Sequence, residues 1–436
     1  MSSNTAKYSL TVGITLVIAN MIGTGVFTSL GYQVGPLPSG FVILVLWLLG
    51  GVVAWCGAVT YAEIATTLER SGGEYLYIGK MYHPLLGFVS GWISLFVGFG
   101  GAISAVAIAI GSYSSLLIPL PEKVVAIMSI VVISIIQFFG VRTSGRAQTI
   151  LTTLKLMLIL FFCIAPFFVP DARSGLSFLP QAGDGQLIFS PGFAVALVFV
   201  VYAYTGWNAA AYIAGNLENA PKNLPKALLL GTLVVIIIYL SLNALFLFTT
   251  PMLDLAGQND VGNVVAERLF GREVGQVFSA IFSIALLSTL SAMTIAGSRV
   301  CEAMGDDYQK LNWLAKKNRY GMPYWSVIIL AGWSTFLVTF STFVEIVQYI
   351  SISLSINSLM AVVGIFILRK THQVRPFTVP LYPLPPVVFS VVTCWMIGYM
   401  FVEDPKIIAM SVATQIPGAI LYWTLTRNQS SPIERL

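Results

Sequence analysis

Twelve stretches of this chain are apolar for about eighteen residues or more, and nothing else in the sequence constrains the fold as strongly. They run over 10–33, 40–68, 83–117, 122–139, 146–169, 187–214, 226–250, 274–303, 324–343, 346–368, 383–402 and 406–426. In lipid, every backbone N–H and C=O must find a partner within the protein, so such stretches fold as helices. The expectation is an all-α integral membrane protein with twelve transmembrane helices. Short connections leave no room for a separate soluble domain. Composition agrees, since 57% of residues are hydrophobic and only 9% are charged. That is too little charge to wet a soluble enzyme or a nucleic-acid module of this size. The polar start, MSSNTAKYSL, has no cleavage site and is not read as a signal peptide.

An even number of spans puts both termini on one face. If that face is cytoplasmic, seventeen Lys and Arg lie inside and five outside, with Lys155 left within a span. The positive-inside rule then orients the chain, and the net charge of +5 is a topology signal with no nucleic-acid meaning. Cysteines 56, 163, 301 and 394 sit within or at the ends of apolar runs and suggest no disulfide framework. With two histidines and neither HExxH nor CxxC, no metal or cofactor is expected.

Two spans are interrupted. Span 1 carries Met21-Ile22-Gly23-Thr24-Gly25-Val26-Phe27, and span 6 carries Tyr202-Ala203-Tyr204-Thr205-Gly206-Trp207-Asn208. Glycine at a membrane helix also permits close packing, and either segment alone leaves that reading open. Together they read differently, because each opens a block of five spans and Gly206 follows Gly25 by 181 residues. Interruptions at matching positions of two halves point to a transporter site near the bilayer midplane. A broken helix exposes N–H groups on one side of the break and C=O groups on the other. An amino acid backbone needs both, N–H for its carboxylate and C=O for its ammonium.

At these residues the sequence resembles the amino acid–polyamine–organocation superfamily, and within it the L-type amino-acid transporter branch and its bacterial relatives. IGTGVF at 22–27, TYAEIATTLERSGGEYLYI at 60–78, YAYTGWN at 202–208 with APKNLPKAL at 220–228, GSR at 297–299 and RPFTVPLYPLPP at 375–386 carry the likeness. The resemblance implies a leucine-transporter-type five-plus-five inverted repeat with broken helices 1 and 6. The first repeat would span 1–170, the second 187–368, and two further helices 380–427. Family members often carry paired acids after helix 6, where this chain has Gly215 and Asn216. The loop Ile118-Pro119-Leu120-Pro121-Glu122-Lys123 lacks the Cys that joins an ancillary chain in partnered animal members, so no disulfide-linked subunit is implied.

Carried over by position, the substrate backbone would lie against Met21, Ile22, Gly23, Thr24, Gly25 and Val26 and against Tyr202, Ala203, Thr205, Gly206, Trp207 and Asn208. Thr24 and Gly25 would hold the carboxylate, while carbonyls of Met21, Tyr202 and Thr205 would take the ammonium. Tyr202 would close over the substrate. Tyr204 and Trp207 read equally as buried packing, and Asn208 as a group that satisfies freed backbone. Tyr239, mid-span 7, offers a hydroxyl. Ser288, Thr289 and Ser291 either line the site or bond their own helix. Gly87 and Gly91 read as a packing GxxxG.

Spans 1, 3, 6, 8 and 10 hold no interior Asp, Glu, Lys, Arg or His. Glu63, near the end of span 2, reads as a structural acid paired with a basic residue. Cationic amino acids and polyamines would need a carboxylate, and acidic ones a fixed cation, so neutral L-amino acids are favoured. Lys155 lies nine residues into span 5 from Arg146, about 13–14 Å along a helix. In the family, a Lys here places its ammonium where sodium-coupled relatives bind sodium, between helices 1 and 8. The expectation is a sodium-independent secondary transporter of neutral L-amino acids, an exchanger or a proton-linked symporter, in the plasma membrane, as in a bacterial inner membrane. The alternatives are a cationic amino-acid or polyamine antiporter and a sodium-coupled symporter. No P-loop, paired-acid or nucleophile–base set supports a pump or an enzyme.

Overall fold

Apolar runs form helices here, most of them straight through internal Gly, Thr or Asn, and the chain leaves helix in mid-run at 22–24 and 205–208. The structure is a computed structural model that describes residues 8–68, 72–115, 117–138 and 174–427, with isolated positions between 153 and 169. The elements that build the site are α1 (Leu10–Met21), α2 (Gly25–Thr28), α3 (Gly40–Leu68), α4 (Gly73–Met81), α5 (Pro84–Ile93), α6 (Ala102–Ser114) and α7 (Glu122–Phe138). After them come α8 (Pro191–Tyr204), α9 (Ala220–Thr249), α10 (Val261–Phe270), α11 (Arg272–Asp307), α12 (Tyr324–Phe340) and α13 (Phe343–Val363). The chain closes with α14 (Ile365–Thr371), α15 (Leu384–Glu403), α16 (Pro405–Ala413) and α17 (Gln415–Thr426).

Among the described residues, nine helices are long and apolar enough to cross a membrane, and no strand occurs. The expected spans 122–139 and 324–343 are helices of 17 residues each, and most of 146–169 lies outside the described residues. The burial pattern of α7 is that of a helix in lipid. Met128, Val131, Val132, Ile135 and Ile136 form its exposed stripe, while Ser129, Ser134 and Gln137 are buried. A water-soluble helix would do the reverse. The chain is therefore a multi-pass membrane protein.

Helix α1 runs along α9, where Gly231 lies against Val17, and α9 lies on α3. Helix α8 fills the middle, touching α3, α13 and α15. The buried rings of Trp47, Tyr204 and Tyr239 pack at steep angles between them, with Trp47 edge-on to Tyr239 at 5.5 Å. On the other flank α11 packs against α6, α7, α10 and α12. Glu63 at the end of α3 is fully buried, and its carboxylate takes both Nε (2.7 Å) and Nη2 (2.6 Å) of Arg369 on α14. The Val379 N–H adds a third bond at 2.6 Å, and Tyr382 covers the guanidinium at 3.4 Å. The sequence reading of Glu63 as a structural acid thus acquires named partners.

Candidate site at the two helix breaks

The first break is three residues long. Helix α1 ends at Met21, Ile22 is extended (φ −76°, ψ 92°), and α2 begins after Thr24. The carbonyls at the end of α1 have no intrahelical partner, and the structure supplies two from other helices. The Tyr239 hydroxyl donates to Met21 O at 2.6 Å. The Lys155 ammonium donates to Ile22 O and reaches Thr289 Oγ1 at 3.4 Å. A cation and a hydroxyl at the negative end of a helix are what its dipole favours.

The second break follows Tyr204. Thr205 turns to φ −53°, ψ 143°, and its N–H and hydroxyl both return to Tyr202 O, at 3.0 and 2.6 Å. Gly206 sits at φ +99°, a left-handed geometry that favours glycine. From Ala209 to Asn216 the chain continues as a 3-10 helix with a non-helical residue at Ile213. The two breaks meet. The Tyr239 hydroxyl also lies 3.0 Å from Ala203 O, so one side chain on α9 joins the ends of α1 and α8. The Thr24 and Tyr202 hydroxyls are 2.9 Å apart.

Several expectations change at this level. Gly25 does not face space, because a Cβ there would lie 2.5 Å from Ala203 Cα, with backbone in the way. A Cβ on Gly206 would meet Asn20 C and O at 2.9 Å. Both glycines let the broken helices touch. Gly23 alone of the three has nothing within 4 Å of an added Cβ. Ile22 and Val26 are fully buried, and the Met21 and Tyr202 carbonyls expected to face an ammonium already accept bonds from Tyr239 and Thr205. The hydroxyl trio on α11 divides. Ser288 bonds its own helix at Ala285 O (2.7 Å), Ser291 accepts from Gln137 Nε2 (2.7 Å), and only Thr289 meets Lys155. Trp207 is packed edge-on to Tyr61 at 4.7 Å. Asn208 donates its amide to Glu74 Oε1 at 2.5 Å, away from the break.

A small cavity opens beside the second break. Ala54, Tyr204, Thr205, Trp207, Ser355 and Phe389 are among its walls, and among the described residues no charged side chain lines it. Among the described residues there is no group of His, Cys, Asp and Glu that could hold a metal ion. Sequence reasoning missed Glu74. It reads as an ordinary loop acid, yet it is buried and holds three donors. The Ser-Gly-Gly-Glu-Tyr run in which it sits was the only signal.

Comparison with known proteins bears on the same region. The family model described as "Amino acid permease" matches residues 11–425, which includes both breaks. The serine/threonine exchanger SteT of Bacillus subtilis (strain 168) is 26% identical over 437 residues, covering 98% of each chain. The human cystine/glutamate transporter is 26% identical over 431 residues, covering 96% of this chain and 84% of the relative. The human b(0,+)-type amino acid transporter 1 is 22% identical over 409 residues, covering 92% and 83%.

Proposed function

The chain belongs to the amino acid permease family, and from that premise we propose that it carries neutral L-amino acids across the membrane by alternating access, independently of sodium and as an exchanger. It is a transporter and not an enzyme. The reading takes the fold as twelve spans, with inverted repeats over 1–170 and 187–368 and two added helices over 380–427. Both termini are taken as cytoplasmic, on the seventeen-to-five split of basic residues.

The observation that carries the reading is the Lys155 ammonium on the Ile22 carbonyl. A protein cation already sits at the end of α1, 3.4 Å from a hydroxyl of α11. A sodium ion there would meet like charge and lose its carbonyl. In this reading the first N–H groups of α2, at Gly25 and Val26, take the carboxylate and the Thr205 carbonyl at the second break takes the ammonium. Gly23, with open space before it, is where the substrate backbone approaches. The cavity walls carry hydroxyls and apolar groups, which suits a small neutral side chain. Exchange is favoured by the likeness to a serine/threonine exchanger over nearly the whole chain.

The test is uptake of labelled amino acids into proteoliposomes, with or without internal amino acid and with sodium replaced by choline. Neutral amino acids should enter in choline, faster when the lumen holds substrate, and putrescine should not compete. Lys155→Ala should lower turnover at least tenfold in folded protein. Strict sodium dependence, or transport of arginine or putrescine, would overturn the reading.

A further inference from the structure

Helix α4 is short, yet it grips two parts of the protein. Its Gly79 packs against Gly87 of α5, where a Cβ on Gly87 would lie 2.7 Å from the Gly79 Cα. Its Tyr75 hydroxyl donates to Asp307 at the end of α11, at 2.8 Å. Those contacts fix α4 to the flank that holds α5 and α11. The opposite side of α4 carries Glu74 and Tyr77. Glu74 Oε1 accepts from Tyr61 of α3 at 3.0 Å and from Asn208 at 2.5 Å, while Oε2 accepts from the Tyr212 hydroxyl. Tyr77 donates to Ala211 O at 3.3 Å. Gly73 leaves no room for a Cβ beneath the Tyr212 ring.

Three of these partners, Asn208, Ala211 and Tyr212, belong to the chain just past the second break. That segment has an irregular backbone. It starts two residues after Gly206 at φ +99°, runs as 3-10 helix and departs from helical angles at Ile213. A 3-10 stretch inside a longer helix is a common place for a hinge. Besides its backbone bonds, Tyr77 holds the segment at Ala211 O and the buried Glu74 side chain holds it at both Asn208 and Tyr212.

We propose that Glu74 is a positioning residue that locks the segment Asn208–Tyr212 to α4, and that its carboxylate must release Asn208 and Tyr212 before the transporter can open on the face that carries residue 8. The proposal rests on the alternating-access reading above. The lock sits on that face, because Tyr8 O accepts from Glu218 N at 2.9 Å, just beyond the same segment. It acts on the far half of the broken helix and leaves the Lys155 and Tyr239 contacts untouched. Glu74→Gln keeps the shape but turns one acceptor oxygen into a donor, facing either Tyr212 or the Tyr61 and Asn208 donors.

Two measurements test it on purified full-length protein, in wild type, Glu74→Gln and Tyr212→Phe. Amide hydrogen exchange of residues 208–216 should quicken at least tenfold in both variants. KM measured separately at the two membrane faces should diverge, rising on the face opposite residue 8 relative to the face that carries it. The double variant should add little to either single one, since both break one network. Unchanged exchange in both variants overturns the lock. Faster exchange with an unchanged ratio of the two KM values also overturns it, because the network is then structural alone. A wild type that moves no amino acid, with faster exchange in the variants, overturns instead the transport reading on which the proposal rests.

Discussion

Tyr239→Phe is the sharpest perturbation the structure offers. The ring is fully buried between Trp47 (5.5 Å) and Tyr204 (5.1 Å), and Phe keeps both contacts. Only the hydroxyl is lost, together with the bridge from Met21 O (2.6 Å) to Ala203 O (3.0 Å). Both carbonyls sit at helix ends and lack an intrahelical partner. Leaving a buried acceptor unmet costs roughly 1–3 kcal/mol, and the one proton is shared, so the loss is about that size and not twice it. If the bridge holds the two breaks in register for the substrate, affinity should fall by a factor of about 5 to 150. Binding is read by scintillation proximity in detergent, with folding checked by thermal unfolding. The opposite sign is informative, because a substrate ammonium competing with the hydroxyl for Met21 O would bind more tightly to Phe. Unchanged affinity together with unchanged thermal stability would refute the bridging role altogether.

Two contrasts follow from the same geometry. Gly23→Ala has room and should fold like the wild type while weakening substrate binding, whereas Gly25→Ala drives a Cβ to 2.5 Å from Ala203 Cα and should lower the melting temperature; equal melting temperatures for the two would contradict the packing described for Gly25. Glu63→Gln removes the charge and one acceptor oxygen of a fully buried partner of Arg369 and should destabilise by about 3 kcal/mol, with Arg369→Lys also costly because Lys cannot bind both carboxylate oxygens. Thermal unfolding of both variants checks this, and wild-type stability in either would show the pair to be dispensable.

The apolar runs and their interruptions were legible from the residues alone for a physical reason. A helix in lipid must be apolar outward along its whole length, so its bounds are written locally, and α3 and α15 begin and end close to the expected 40–68 and 383–402, while α9 ends near the expected 250 but starts at Ala220, before the expected 226. The interruptions at 21–27 and 202–208 were equally local, since Gly, Thr and Asn weaken helix where they stand. What each glycine touches was not local. Gly25 and Gly206 look like residues that admit a ligand, and the fold presses them instead on Ala203 and Asn20. Nor could the sequence tell which carbonyl each buried donor would find. Tyr239 meets Met21 across 218 residues of chain, and Lys155 meets Ile22 across 133.

Glu74 marks the boundary most clearly. Its donors stand 13, 134 and 138 positions away, on α3 and past the second break. In the sequence it is one more acid after a double glycine, between spans 2 and 3, where a charge is expected to be solvated. Only the packing of α4 under the far half of helix 6 buries it. The apolar pattern decided that this chain lies in a membrane and where its helices break. Tertiary contact decided which groups meet at the breaks, because hydrogen-bond partners are chosen by proximity in space, and spacing along the chain does not encode it.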